Sequence, residues 1–383
     1  MMRIRAAAAV TALALAVGSA AACSSSGSTG SGGSGGSGGG GGSGAFKDVL
    51  KNIRTTAQTS GYIEWGDSAQ LAKLNGGTGA ASDSPFGRLI GTGEDDLAQY
   101  QQILPPQIGF DPATASSAIS VGSPPNTVSV LYGSFDPKAV GAKLAAWGYH
   151  SQDRGDGVTA WIFQDDHKID MSKLDPSTGV GPGMSGWLNV VWVSKSSIAY
   201  GRATSDLAAA LPAQSKPLSG DPMMGSLADC LGPAVVAVVI TDPQQIRSSG
   251  ISAIAFGVTA TGTSDIREEI CAAAPDAAGA QAFAAGFTRA VTSGKDVVTD
   301  QPWANLLADP QTKVIGGGQH IAQLSAKPTD PKGASLVVNL VEQSDFAGLL
   351  GLPQTLKNGR TVNPDGTLGS PSPSPSLSPS SSS

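Results

Sequence analysis

Charge is scarce in this chain. Asp, Glu, Lys and Arg make up 14% of its 383 residues and aromatic residues 5%, with Ala and Gly in excess. No basic run occurs anywhere, which argues against nucleic acid as a partner and against electrostatic docking on anionic lipid. The sequence holds no G-x-x-x-x-G-K-S/T, H-E-x-x-H or S-x-x-K, and no G-x-S-x-G outside the Gly/Ser-rich residues 24–44. These absences remove the simplest routes to a nucleotide hydrolase, a zincin, a penicillin-interacting serine enzyme and an α/β-hydrolase. Histidine occurs only at 150, 167 and 320, and cysteine only at 23, 230 and 271.

What is present begins at the N-terminus. Arg3 and Arg5 precede a twelve-residue apolar or small-residue run, 6–17, and a small-residue exit over 18–22 leads directly to Cys23. That is the layout of a secretory signal, and its run is far short of the ~20 residues a spanning helix needs. Ala20-Ala21-Ala22-Cys23 resembles the lipobox of bacterial lipoproteins, with Ala20 where Leu is usual. The resemblance implies a signal peptide, 1–22, a diacylglyceryl thioether on Cys23, and an extracytoplasmic protein held at the cell membrane by its acyl (palmitate) chains. Two or more such chains anchor stably, at ~0.8 kcal/mol per buried CH₂. An ordinary secreted protein with Cys23 a free thiol is the alternative. Residues 24–44 argue against it: they contain only Ser, Gly and one Thr, a random-coil tether spanning about 25 Å. At the other end, 370–383 (SPSPSPSLSPSSSS) cannot bury a core. It resembles the Ser/Pro stalks that carry O-linked sugar.

Between tether and tail lie roughly 325 residues, enough for two domains, expected over 45–220 and 221–369. Without residues 1–22 the chain has 22 basic against 30 acidic residues, a net charge of −8. With Cys23 lipidated, Cys230 and Cys271 have only each other as partners. Outside the membrane that predicts a disulfide. Two buried thiols are one alternative; zinc is disfavoured, because neither has a nearby His or a second Cys at C-x-x-C spacing.

Phe46, Val49, Leu50 and Ile53 fall at i, i+3, i+4 and i+7 and predict an amphipathic helix. A strand follows at 62–65, then a capped helix over 68–74. Acids at 94–96 open a helix that Pro105-Pro106 stops. From Asp111 the chain repeats itself. DPATASSAIS (111–120), a strand at 127–135 and Asp136-Pro137 are answered by DPMMGSLADCL (221–231), a strand at 234–241 and Asp242-Pro243. SDLAAALP (205–212) and SDFAGLLGLP (344–353) close the two passes. Strand-like runs at 157–164 and 187–194 correspond to those at 314–325 and 334–342. The middles differ, with one helix at 138–149 against a strand at 251–262 and helices at 264–274 and 276–294. We read an internal duplication, units 111–212 and 221–353. The expected fold class is α+β: two related α+β units with mainly antiparallel sheets, preceded by a helical N-terminal segment.

For chemistry the sequence offers little. The run 181–186 fits G-x-G-x-x-G, but a strand rather than a helix follows, so no helix N-terminus faces a phosphate. The densest polar cluster sets Asp165, Asp166, His167, Lys168 and Asp170 together. Its acids do not alternate and no Gly turns the chain, unlike a calcium loop, so a solvated loop is expected. His320, beside Gly316–Gly318, reads as a half-buried strand residue next to a bulge. His150 sits in no signature. Trp161, Trp187 and Trp192 fall in predicted strands and read as core. Trp187 and Trp192, five apart, face opposite sides of a sheet. No catalytic residue, metal or cofactor site is expected. As a whole, on its ends and composition, the chain resembles an uncharacterised actinobacterial-type cell-envelope lipoprotein. A duplicated α+β body without a catalytic signature, hung on a tether, is expected to be a non-catalytic protein that binds a ligand or partner protein at the outer face of the membrane. An enzyme acting in the envelope and the solute-binding lipoprotein of a transporter are the alternatives.

Overall fold

The computed structural model describes residues 45–76, 84–100, 103–168, 186–212, 216–246, 250–296, 300–330, 336, 338, 346–355, 361–363 and 367. The body begins with α1 (Ala45–Leu50), α2 (Ala57–Gly61), β1 (Tyr62–Gly66) and α3 (Ser68–Leu74). A 3-10 turn (Asp95–Tyr100) and α4 (Pro105–Ile108) lead to β2 (Ser117–Val121), β3 (Val128–Tyr132) and α5 (Pro137–Ala146). Next come β4 (His150–Asp153), β5 (Thr159–Ile162), β6 (Val190–Val193), β7 (Ser197–Gly201) and α6 (Thr204–Ala210). The second part runs through α7 (Pro222–Leu231), β8 (Ala234–Ile240), α8 (Pro243–Ile246), β9 (Ala253–Ala260) and β10 (Ile266–Ala273). It continues with α9 (Ala277–Ser293), β11 (Leu307–Ile315), β12 (Ile321–Pro328) and a 3-10 turn at Gly348–Leu350. A separate pair, β13 (Gln354–Thr355) and β14 (Thr361–Val362), follows. Among the described residues no helix is long and apolar enough to cross a membrane.

Twelve of these strands form one sheet in the order β11-β12-β10-β9-β8-β1-β2-β3-β7-β6-β5-β4, and every described pairing is antiparallel. The fold is therefore α+β, and the sheet runs unbroken across residue 220. At its centre β1 and β8 pair antiparallel, Glu64 opposite Val238. From each of them the chain takes the same path: two further strands outward, a helix, a jump to the far edge and a meander back. In this path β1, β2, β3 and α5 correspond to β8, β9, β10 and α9. The sequence match pairs 127–135 with 234–241, two strands out of step.

The pattern of caps explains why the helices start where they do. Asp67, Asp136, Asp221 and Asp276 accept hydrogen bonds from the first amides of α3, α5, α7 and α9, filling donors that a helix start leaves orphaned. Alternation then assigns the strands to two cores. One face carries Ile63, Trp65, Ile119, Val130, Val239 and Cys271 under α1, α6 and α7. The other is divided, with α9 (Phe283, Phe287) over the second half and α5 (Val140, Leu144) over the first. Each such side chain contributes about 1.5–3 kcal/mol on burial. Gly286 of α9 lets the closing turn approach, since a Cβ there would lie 2.3 Å from the Leu350 carbonyl oxygen.

Several expectations are corrected. The stretch 264–274 is strand β10, not a helix. Ile270 and Ala272 pack toward α9 while Cys271 and Ala273 face α7, and burial of both faces overrides its helix-like Arg-Glu-Glu and Ala-rich composition. Pro105-Pro106 begins α4 instead of stopping a helix, because Pro lacks only an amide that the first turn does not use. The run 314–325 is the end of β11, a turn and the start of β12. Of 334–342, only Leu336 and Val338 are described, and both are helical.

Candidate functional site

The strands' lengths set two opposite ends of the sheet. At one end lie the close of β1, the start of β8 and the turn between β9 and β10, around a cavity of 350 Å³. Ala45, the first described residue, lines it beside Asp67, Ala234, Thr261 and Asp265, and Phe46 packs on Trp65 with ring centroids 5.4 Å apart. So the chain enters the body at this end. The other end carries the β2–β3 turn, the close of β5 and the close of β7. There a cleft of 370 Å³ opens, lined by Pro125, Asn126, His167, Lys168, Gly186 and Arg202.

One buried amide organises this cleft. Asn189, 1% exposed, donates from Nδ2 to the carbonyls of Arg202 (2.9 Å), Asp165 (3.2 Å) and Gln164 (3.3 Å), and its Oδ1 accepts from the Gln164 amide (3.1 Å). It thus ties the loop after β5 to the close of β7. The His167 amide donates to the Arg202 carbonyl as well, at 3.2 Å. His167 is in left-handed backbone, φ 61°, a conformation of order 1 kcal/mol or more uphill for a side chain of this kind. That geometry turns its imidazole toward α6, where Nε2 lies 3.8 Å from Oδ2 of Asp206. Asp206 is 7% exposed, and among the described residues that oxygen has no hydrogen-bond partner. Burial pushes the Asp206 carboxyl above its ordinary value despite the opposing pull of His167, and Asp166 adds to the rise.

The acids of the 164–170 cluster have separate tasks. Asp166 accepts from the amides of Thr204 (2.8 Å) and Ser205 (3.2 Å), capping α6 across 38 residues where the adjacent Ala203 has no side-chain acceptor. Partial burial raises its carboxyl, but these hydrogen bonds outweigh it and leave it below the usual aspartate range. Asp165 pairs with Lys168, which holds it low as well. The loop is exposed, as expected of a solvated segment, but it is fixed at several points. Asp170 and the run 181–185 lie outside the described residues, as does Cys23; Gly186 is buried at the cleft wall.

Beside the cleft, and sharing Arg202 with it, is a chamber of 140 Å³ walled by Pro124, Trp187 and Tyr200, with Asp95 and Ser129. Trp187 precedes β6 instead of lying in it, is half-buried, and packs against Tyr100 at 6.0 Å. Trp192 is core, with the Arg154 guanidinium 4.1 Å over its ring. The other histidines are elsewhere: His150 is exposed at the start of edge strand β4, and His320 is half-buried in the turn before β12, with φ 47°. His320 is therefore a turn residue, not a strand residue; the Gly-rich 316–318 makes a tight connection between β11 and β12. Among the described residues no group of three or more His, Cys, Asp or Glu could hold a metal ion. Cys230 of α7 and Cys271 of β10 are joined in a disulfide, Cα atoms 6.1 Å apart.

Sequence reasoning missed Asn189, Arg202 and Asp206. Asp206 was legible only as a first-turn acid of a helix, and nothing local marks the other two.

No protein-family model matches the chain, and no curated protein matches it. Among solved structures, crystal form IV of TP0453 is similar over 77% of this chain and 99% of that chain, at 10% identity and a TM-score of 0.35. Crystal form III of TP0453 is similar over 75% and 99%, at 8% identity and 0.33.

Proposed function

We propose that this is a non-catalytic binding lipoprotein of the cell envelope, anchored to the outer face of the cell membrane through Cys23, with the 370 Å³ cleft as its binding site. The observation that carries this reading is the placement of the cleft. The chain enters the body at one end of the sheet and the cleft opens at the other. The five-residue strands β1 and β2 alone put about 17 Å between those ends. A body hung from its entry end presents the cleft outward, which raises its effective concentration around neighbouring envelope components.

The observation closest to catalysis is the His167–Asp206 pair. Its 3.8 Å separation exceeds hydrogen-bond reach, and no hydroxyl or thiol side chain lies among the described residues lining the 370 Å³ cleft. Binding fits that lining better than nucleophilic chemistry.

Two experiments test the proposal. Cys23→Ala is expected to move the protein from the membrane fraction to the medium; retention of the variant in the membrane would remove the lipid anchor. Native mass spectrometry of the detergent-solubilised protein from its own envelope is expected to find a bound small molecule, lost in Asn126→Trp, which fills the cleft mouth. An adduct that survives Asn126→Trp would place binding elsewhere.

A further inference from the structure

Arg202 stands where the cleft and the Trp187–Tyr200 chamber meet, and it is half-buried. Among the described residues no carboxylate pairs with its guanidinium. Of the nearby acids, Asp165 is paired with Lys168, Asp166 caps the amides of α6, Asp206 lies 3.8 Å from His167, and Asp95 lines the adjoining chamber. A cation withdrawn from water calls for a counter-charge. Guanidinium is suited to supply two parallel hydrogen bonds to a carboxylate or phosphate. Its backbone is already fixed, because the Arg202 carbonyl accepts from both Asn189 Nδ2 and the His167 amide. A held backbone lowers what must still be ordered on binding. On one side of it Lys168, His167 and the Asn126 amide add further donors. On the other, Pro124, Trp187 and Tyr200 offer flat apolar walls, a seat for a ring.

Resting on the binding role above, we propose that the cleft takes a small molecule with a phosphate or carboxylate group next to a ring, the oxyanion on Arg202 and the ring between Trp187 and Tyr200. The ligand comes from solution and not from the anchoring membrane, because the site lies at the end of the sheet away from Ala45.

The test is calorimetric titration of the solubilised mature protein with phenyl phosphate, benzoate, the neutral phenyl β-D-glucoside, and vesicles of phosphatidylglycerol. Phenyl phosphate or benzoate is expected to bind, with quenching of tryptophan fluorescence. Arg202→Gln should weaken that binding at least about tenfold, and Arg202→Lys, which keeps the charge but not the planar fork, by an intermediate factor. Equal affinity in wild type and Arg202→Gln, or no binding of either anion, overturns the proposal. Tighter binding to the vesicles than to phenyl phosphate overturns the solution source. If the glucoside binds wild type and Arg202→Gln alike and is lost in Asn126→Trp, the cleft stays a binding site and only the oxyanion is wrong.

Discussion

From β1 and from β8 the chain sets out identically, each time adding two strands before an Asp-capped helix crosses the sheet. The halves then diverge. The second half returns through two long strands, and its one half-buried arginine among the described residues, Arg267, is paired there. Arg267 donates to Ser325 and to Asp309, and that bond holds the Asp309 carboxyl low. Glu269, raised by burial, rests against Ser325, Arg267 and Thr259. The first half returns through four short strands whose connections form the cleft together with the β2–β3 turn, and among the described residues no carboxylate is paired with Arg202. Two copies of one plan have been used for different ends. Where Arg267 is paired within its own half and a disulfide ties helix to sheet, the structure serves stability. The cation left over in the first half is, in the proposed reading, the seat of a ligand.

Removing the disulfide by changing both Cys230 and Cys271 to Ala should have the largest effect on stability. It closes a loop with a sequence separation of 41, worth about 4 kcal/mol in the chain-entropy model. The expected result is a marked fall in the thermal midpoint with ligand binding unchanged at low temperature. An unchanged midpoint would mean that the second half does not owe its stability to this tie.

Asn189→Leu comes next. It removes the partner of the Gln164 carbonyl and amide and one of two donors to the carbonyls of Asp165 and Arg202, at a cost of about 2 kcal/mol. Here the comparison predicts the reverse balance: a smaller loss of stability than in the disulfide variant, but loss of binding. Retained binding would show that the cleft does not depend on this pin.

Asp166→Ala should be mildest, about 0.5–1 kcal/mol for an exposed helix cap. Its pH dependence carries a sign. The Asp166 carboxyl lies below its ordinary value of 3.8 in the folded protein, so its contribution is full above that value and is lost as the pH falls through and below it. Acid titration of stability should therefore separate the variant from wild type at neutral pH and bring them together in acid. A difference that grows on acidification would contradict the capping role.

Much of the frame was legible in the sequence because it is local. The capped helix after Asp67, the amphipathic start at Phe46 and the long α9 ending at Gly294 all depend on residues within a few positions of one another. The failures were places where the surroundings decide. Arg267-Glu268-Glu269 looks like the surface of a helix until β9 and β12 flank it. Asp242-Pro243 resembles Asp136-Pro137, yet the strand-by-strand path matches the helix after Asp136 to the one after Asp276. The cleft was the least legible part. Its members come from 125–126, 167–168, 186 and 202, and Asn189 acts through backbone carbonyls that any residue would offer. Only the clustering of Asp165, Asp166, His167 and Lys168 gave a local sign, and it did not reveal that Asp166 caps a helix 38 residues away.

Amide hydrogen exchange of the mature protein, with and without saturating phenyl phosphate, addresses the division of labour between the halves most directly. Protection should appear in peptides covering 122–127, 164–168, 186–189 and 201–206, with β8 to β12 slow to exchange in both states. Ligand protection centred on the second half, or spread evenly over both, would contradict the account.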